Sequence, residues 1–247
     1  MNLQRAISLT FFAIFFTGMV KGQKDVTTVG IQFKPVFPLA FLGTGEEVTQ
    51  NLNVEFRQGL KSGFAGGMVI RHGFTDLLSL ESGINYIKRK YSLKILDIGN
   101  NHEINSSYRI VGYEIPVSLL VYIQLGEKLF MNVSMGPSID MFASAVQTFD
   151  SNYNHVSFRN HVAQGAVMAN LGWEWRTEKS GYFYIGASWH RPFKFIYLSR
   201  TEYSKPGKLP TDPNAFSEVE LSGSYLTLDL RYFFHEDPET RKQRRRK

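Results

Sequence analysis

The stretch "YRIVGYEIPVSLLVYIQ" puts Val111, Tyr113, Ile115, Val117, Leu119, Val121 and Ile123 on one side. Gly112, Glu114, Ser118 and Gln124 fall on the other. This two-residue period belongs to a β-strand. It recurs in "KLFMNVSMGPSIDMF", where Leu129, Met131, Val133, Met135 and Ile139 oppose Asn132, Ser134, Gly136, Ser138 and Asp140. In "HVAQGAVMANLGWEW", Val167, Ala169, Leu171, Trp173 and Trp175 oppose Gln164, Asn170, Gly172 and Glu174. In "YFYIGASWH", Phe183, Ile185, Ala187 and Trp189 oppose Gly186, Ser188 and His190. In "LDLRYFF", Leu228, Leu230, Tyr232 and Phe234 oppose Asp229, Arg231 and Phe233. With weaker alternation in 29–33, 64–70 and 78–86, the pattern predicts eight strands: 27–41, 54–72, 77–92, 108–124, 128–146, 160–177, 181–199 and 219–234.

The connections alternate too. Tight turns are expected at "GFTD", "GEK" and "EKSG", near residues 74, 126 and 178. Long polar segments lie between them: 42–53, 93–107, 147–159 and 200–218. A soluble sandwich has no reason for such alternation. A transmembrane barrel does, since its turns are short on the periplasmic side and long outside. The apolar face is long enough to cross a bilayer, and in water it would be a very large exposed patch. Tyr86, Tyr91, Tyr108, Trp173, Trp175, Trp189 and Tyr197 gather toward strand ends, where an interfacial girdle is expected. The expected fold is all-β: an eight-stranded antiparallel up-and-down transmembrane barrel over 23–234, in the cell outer membrane, with both termini periplasmic. The soluble alternative is a lipocalin-like barrel with its apolar face inward. Pro116 and Pro137 fall inside strands nearly opposite each other, so a bulge or break is expected there.

Both ends change the picture. Residues 1–22 carry Arg5 and an apolar run from Ala6 to Val20, the form of a secretory signal peptide. No cysteine follows it, which excludes a lipid anchor, a disulfide framework and a thiolate metal site. The net charge of +6 is concentrated at the ends: residues 23–234 hold 20 basic and 19 acidic side chains. A near-neutral body argues against nucleic-acid binding. Residues 235–247, "HEDPETRKQRRRK", have no apolar residue and are expected to form a disordered periplasmic tail. Its cations Arg241, Lys242, Arg244, Arg245, Arg246 and Lys247 are the candidate contact for an acidic protein face or for peptidoglycan carboxylates.

"YEIPVSLLVYI", "LFMNVSMGPSIDMF" and "LDLRYFF" resemble the small outer-membrane β-barrel proteins of Bacteroidota, a group that includes PorT-like proteins. The resemblance implies the barrel fold, an outer-membrane location and, for PorT-like members, an association with protein secretion.

An eight-stranded barrel has its lumen filled by side chains. The inward charges Arg71, Glu81, Glu114, Asp140, Asp229 and Arg231 are therefore read as a buried pairing network rather than an ion path. Ser188 and His190 share a face, but no nucleophile elbow accompanies them, and a hydrolase site is not expected. His155 and His161 near Asp150 match no zinc spacing. No cofactor, metal or catalytic set is expected. The functional expectation is a structural or accessory outer-membrane component, surrounded by lipid, with a secretion or envelope-assembly machine in the outer membrane or periplasm as its candidate partner. The alternatives are an outer-membrane enzyme acting on lipid or peptide, or a small pore.

Overall fold

The computed structural model describes residues 26–38, 45–75, 77–177, 180–207, 209 and 212–235. The expected signal peptide and all but the first residue of the expected tail lie outside them. The described residues form thirteen strands: β1 Thr27–Phe37, β2 Glu47–Asn51, β3 Val54–Gly73, β4 Leu78–Asp97, β5 His102–Gln124, β6 Leu129–Phe142, β7 Val146–Asp150, β8 Tyr153–Arg159, β9 Ala163–Arg176, β10 Tyr182–Pro192, β11 Tyr197–Tyr203, β12 Ala215–Leu221 and β13 Tyr225–Phe233.

Eight of them close a ring in the order β1-β13-β10-β9-β6-β5-β4-β3, with β3 returning to β1. The closing ladder runs from Thr27 opposite His72 to Val36 opposite Gly63. Every pairing is antiparallel, which leaves no open edge within the ring. The outward face carries Ile31, Phe33, Met68, Ile84, Val117, Leu119, Met135, Ile139, Leu171, Trp173, Trp175, Ile185 and Leu230, each about 40–60% exposed. A closed ring with an apolar belt outside and charged residues inside is the arrangement of an outer-membrane barrel, which satisfies its backbone within the bilayer.

The strand extents differ from those expected, and the difference has one cause. The segments 93–107, 147–159 and 200–218 are not plain loops. β4 and β5 continue to Asp97 and from His102, β7 and β8 occupy 146–159, and β11 and β12 form a hairpin around 204–214. β12-β11-β8-β7 form a second sheet. Around the axis, the upper strands β2, β12, β11, β8 and β7 stand in the same order as β1, β13, β10, β9 and β6 below. The three strands β3, β4 and β5 run through both tiers. The wall is thus one ring that breaks at 143–145, 160–162, 193–196 and 222–224. Above the breaks it flattens into two facing sheets.

The flattened upper tier, the cap, is a packed unit. Phe56, Leu93, Ile95, Tyr108 and Ile110 from the through-running strands meet Tyr153, Tyr197, Tyr203 and Val219 from the second sheet in one buried cluster. Its two seams are held by side chains. Thr49 and Ser217 hydroxyls lie 2.5 Å apart, and Phe216 N–H donates to Asn51 Oδ1 at 3.2 Å. On the other seam the Tyr153 hydroxyl donates to Ser106 Oγ at 2.7 Å.

This packing corrects the expected girdle. Tyr86, Trp173 and Trp175 do face outward, and Trp189 is half-buried. Tyr91, Tyr108 and Tyr197 are instead 3%, 3% and 0% exposed, inside the cap. Their odd-versus-even parity already put Tyr91 with Arg89 and Tyr108 with Ile110. At the prolines the β5–β6 ladder keeps one register on both sides but lacks pairings between Pro116–Ser138 and Leu119–Met135. The result is a break and not a bulge. Proline has no N–H to donate, and Ser82 Oγ takes up the Pro116 carbonyl at 2.9 Å. The bulge in β3 falls elsewhere, between Leu60 and Ser62.

Candidate functional site

The inward positions of the ring form three stacked layers of polar side chains. Each follows from strand parity: once Ile31, Ile84 and Leu230 face lipid, Gln32, Asn85 and Arg231 must face the lumen.

The layer nearest the short turns is built on Arg71 and Arg231. Arg71 donates to Glu81 at 2.9 Å and to Glu174 at 2.5 Å. Arg231 donates to the other Glu81 oxygen at 2.5 Å and to Asp229 at 2.7 Å. Arg176 completes Glu174 at 2.6 Å. The guanidiniums also lie over rings: Arg71 is 4.1 Å from the Phe233 centroid and Arg176 is 3.9 Å from that of Phe130.

The middle layer centres on Asp229. Lys34 reaches it at 3.2 Å, Ser188 Oγ donates to it at 2.6 Å, and Asn170 Nδ2 donates at 3.0 Å. The Tyr184 hydroxyl donates to Asn170 Oδ1 at 2.6 Å, and Gln32 donates to Asn85 at 2.6 Å.

The layer beneath the cap holds Arg89, Glu114, Asp140, His190 and Tyr225. Arg89 donates to Glu114 at 3.0 Å, as does the Tyr225 hydroxyl at 2.5 Å. His190 Nε2 is 3.0 Å from Asp140, and its ring stacks on Tyr225 at 4.6 Å.

All six residues singled out from the sequence face the lumen and are at most 7% exposed. Arg71, Glu81, Asp229 and Arg231 meet directly. Glu114 and Asp140 belong to a separate layer with Arg89 and His190. Four charges absent from that set complete it: Lys34, Arg89, Glu174 and Arg176. Lys34 follows the alternation Gln32, Lys34, Val36, and Glu174 already stood on the lumen face. Arg89 was concealed by its neighbours, because "KRK" reads as a solvated run while parity turns only its middle member inward. With these included, the described lumen holds five cations (Lys34, Arg71, Arg89, Arg176 and Arg231) against five carboxylates (Glu81, Glu114, Asp140, Glu174 and Asp229).

Glu114, Asp140 and His190 bring ligand atoms within 4.8 Å of one another, as a divalent-cation site would. The Arg89 guanidinium and the Tyr225 hydroxyl already occupy Glu114, so the positive charge this group needs is supplied by the chain itself. Ser188 and His190 share the lumen face, but Ser188 is engaged with Asp229 and His190 with Asp140, so the proton relay of a serine hydrolase is not assembled. His155 lies in the cap core against Ser199 at 2.9 Å and Ser157 at 3.0 Å. Asp150 is exposed and holds the Ser151 backbone N–H, and His161 is exposed, so these three do not converge.

No protein-family model and no curated protein sequence matches the chain. Among solved structures it is similar to the outer membrane protein OprG from Pseudomonas aeruginosa, at 11% identity and a TM-score of 0.49, over 88% of this chain and 100% of that one. It is also similar to the outer membrane protease OmpT from Escherichia coli, at 10% identity and a TM-score of 0.32, over 84% and 96%. The membrane assignment rests on this chain's own closed ring and apolar belt.

Proposed function

We propose that this outer-membrane barrel is a closed scaffold: it neither conducts nor catalyses, and it serves as a structural or accessory envelope component that displays the cap on the outer surface. The observation that carries this reading is the Arg71–Glu174 ion pair, 2.5 Å long, between strands on opposite sides of the ring. A contact across the full diameter obstructs the lumen at that level, and two further layers of lumen side chains lie above it. The long-connection end is assigned to the outside by the usual asymmetry of such barrels.

The PorT-like resemblance supports a place beside a secretion or envelope-assembly machine, with the basic tail as the contact to a periplasmic protein. Planar-bilayer recording of the purified full-length protein tests the scaffold reading. Flat traces across ±100 mV are expected, and a stable stepwise conductance overturns it in favour of a pore. Loss of a measurable hydrolase or acyl-transfer activity in Ser188→Ala or His190→Ala, with the barrel still folded, would overturn it in favour of an enzyme.

A further inference from the structure

The outer wall of β3, β4 and β5 carries two charged tiers above the lipid belt, and they differ in kind. In the tier farther from the membrane, cations and acids are paired: Lys94 with Glu103 at 3.0 Å, and Arg57 with Glu55. Below it is a neutral row, Gly59, Ser92 and Ser107, in register with one another. Below that come Lys61, Lys88, Lys90 and Arg109, and no acid stands on this wall between them and the belt. Lys88 lies opposite Phe64 and Val111. Lys90 lies opposite Ser62 on one side and Arg109 on the other. Among the described residues none of the four has a carboxylate partner.

A directly opposed Lys90–Arg109 pair is a like-charge cross-strand contact, which destabilises a sheet unless an anion lies between. The height of the pair identifies the anion. Phe33, Phe64, Tyr86 and Tyr113 form a continuous aromatic row across β1, β3, β4 and β5, with ring centroids 6.3, 6.2 and 5.9 Å apart. Such a row marks the bilayer interface. Lys88 is two residues past Tyr86 and Lys90 four, about 7 and 14 Å along the strand. With strands tilted ~40°, this is about 5 and 10 Å above the row. The head-group layer of one leaflet is itself about 5–8 Å thick. The cations therefore stand in and just above the head groups. Their flexible stems can reach down, while the rings of Phe64, Tyr86 and Tyr113 offer an apolar wall to acyl chains below.

We propose that Lys61, Lys88, Lys90 and Arg109 form a binding site for a phosphate-bearing glycolipid of the outer leaflet, its phosphate bridging Lys90 and Arg109 and its acyl chains lying along the aromatic row. Arginine matches phosphate oxygens in a bidentate fashion, and the lysines add point charge. The site goes beyond the scaffold reading and stands even if that reading fails, because a conducting barrel would carry the same outer wall.

The test uses full-length barrel in non-ionic detergent, with diphosphoryl lipid A, dephosphorylated lipid A and inorganic phosphate as probes. Folding is checked by heat-modifiable gel mobility. Saturable binding of diphosphoryl lipid A is expected, at least about tenfold tighter than of the dephosphorylated form, the loss expected for charge-assisted hydrogen bonds. K88Q/K90Q/R109Q should lose about the same factor, while K88R/K90R and the upper-tier pair R57Q/K94Q should retain wild-type binding. Equal affinity for the two lipid A forms overturns the proposal, and so does triple-variant binding within about twofold of wild type, a difference too small for a lost charge contact. Inorganic phosphate competing as well as diphosphoryl lipid A makes it an ion site without lipid. A photo-crosslinker at position 90 that captures a protein in place of glycolipid in intact cells makes it a protein interface. Should the triple variant fail to fold, the comparison of the two lipid A forms on wild type still decides.

Discussion

Arg71 and Glu174 sit on strands four positions apart in a ring of eight, and their 2.5 Å ion pair spans the lumen along its diameter. Glu114 and Tyr225 repeat the relationship beneath the cap, again on opposite strands and at 2.5 Å. Two cross-braces at different heights tie each half of the wall to the other. A pairing confined to neighbouring strands could not do this. The braces are compatible with a membrane-spanning position because every lumen carboxylate is matched by a cation or a histidine.

The sharpest consequence concerns Glu81, whose two oxygens hold Arg71 at 2.9 Å and Arg231 at 2.5 Å. Replacing it by glutamine keeps the shape and leaves two buried guanidiniums short of a charge. Breaking one side of a buried ionic group costs about 3–5 kcal/mol. Glu81→Gln should therefore lower the unfolding free energy by that much, read from the midpoint and slope of urea unfolding of the barrel in detergent. Combining Glu81→Leu with Arg231→Met should cost less than the two single changes summed, because the second change removes the Arg231 charge that the first would strand, while Arg71 keeps Glu174 and Asp229 keeps Lys34. Strict additivity would show that the layer is not a coupled network.

A second consequence is steric. Gly172 and Gly186 are directly opposed on β9 and β10, and the Tyr184 hydroxyl lies over both. A Cβ at Gly172 would stand 2.3 Å from that oxygen, and one at Gly186 would stand 2.2 Å from it. Each would also stand 2.5 Å from a neighbouring carbonyl, which cannot swing away as a side chain can. Gly186→Ala should displace Tyr184 from Asn170 and destabilise the barrel by about 1–3 kcal/mol, as overpacking does. Tyr184→Phe in the same background should relieve little of this, since the carbonyl clash remains. A variant as stable as wild type would show that the wall yields here.

The eight wall strands and their facing were legible because membrane and lumen impose opposite polarity on alternate residues. Val117 against Ser118 and Leu230 against Arg231 leave no ambiguity of register. The cap was not legible for the converse reason. Along β11 the buried positions are Tyr197, Ser199, Thr201 and Tyr203, and along β8 they are Tyr153, His155 and Ser157. Polar residues point inward there because Gln58 gathers them. It donates to Thr201 at 3.1 Å and accepts from Tyr108 at 3.1 Å and Ser199 at 2.6 Å. Short strands whose inward face is polar read as loops until their partner, more than 140 residues away in sequence, is in place. The lumen network was half legible. Its members could be assigned to a face, but their sorting into layers depends on the ring's stagger, which alternation does not encode.

The cap core also sets a pH dependence. His155 is fully buried between the two sheets, its ring 4.1 Å from that of Tyr108, and burial lowers its pKa from 6.5 to about 4. The unfolded chain thus takes up the proton first as pH falls. Stability contributed by neutral His155 is complete above about pH 6.5, declines between 6.5 and 4, and levels below 4, with a total of about 3 kcal/mol. Protease resistance of the cap should fall across that window in detergent-solubilised protein. His155→Gln keeps a hydrogen-bonding group near Ser157 and Ser199 but does not titrate, so its resistance should change little from pH 6.5 to 4. An unaltered profile in that variant would assign the transition to another group.

The continuity of β3, β4 and β5 through both tiers separates what the membrane holds from what the cap holds. Within the bilayer the ring is complete: β1 closes on β3 along ten paired residues, and β10 and β13 pair from Tyr182–Phe233 to His190–Tyr225 without help from the upper sheet. Excising residues 197–221 and joining Ile196 to Ser222 through a short glycine-serine turn should therefore leave an inserted, heat-modifiable barrel. Above the break the outcome is opposite. Phe56, Leu93 and Ile95 on the through-running strands are at most 1% exposed and pack in the same cluster as Tyr197, Tyr203 and Val219. Without the β11–β12 hairpin the inward face of the β4–β5 extension is open to water and loses its cross-sheet cover. Protease added to intact cells should then cleave within 97–102 in the deletion variant and spare that turn in the parent, whose Asp97 is held by Asn100 at 2.8 Å and by Tyr203 at 3.3 Å. Cleavage there also reads out topology, since only a cap on the cell's outer face is within reach of the enzyme. A deletion variant that fails to insert would mean that the cap templates closure of the ring.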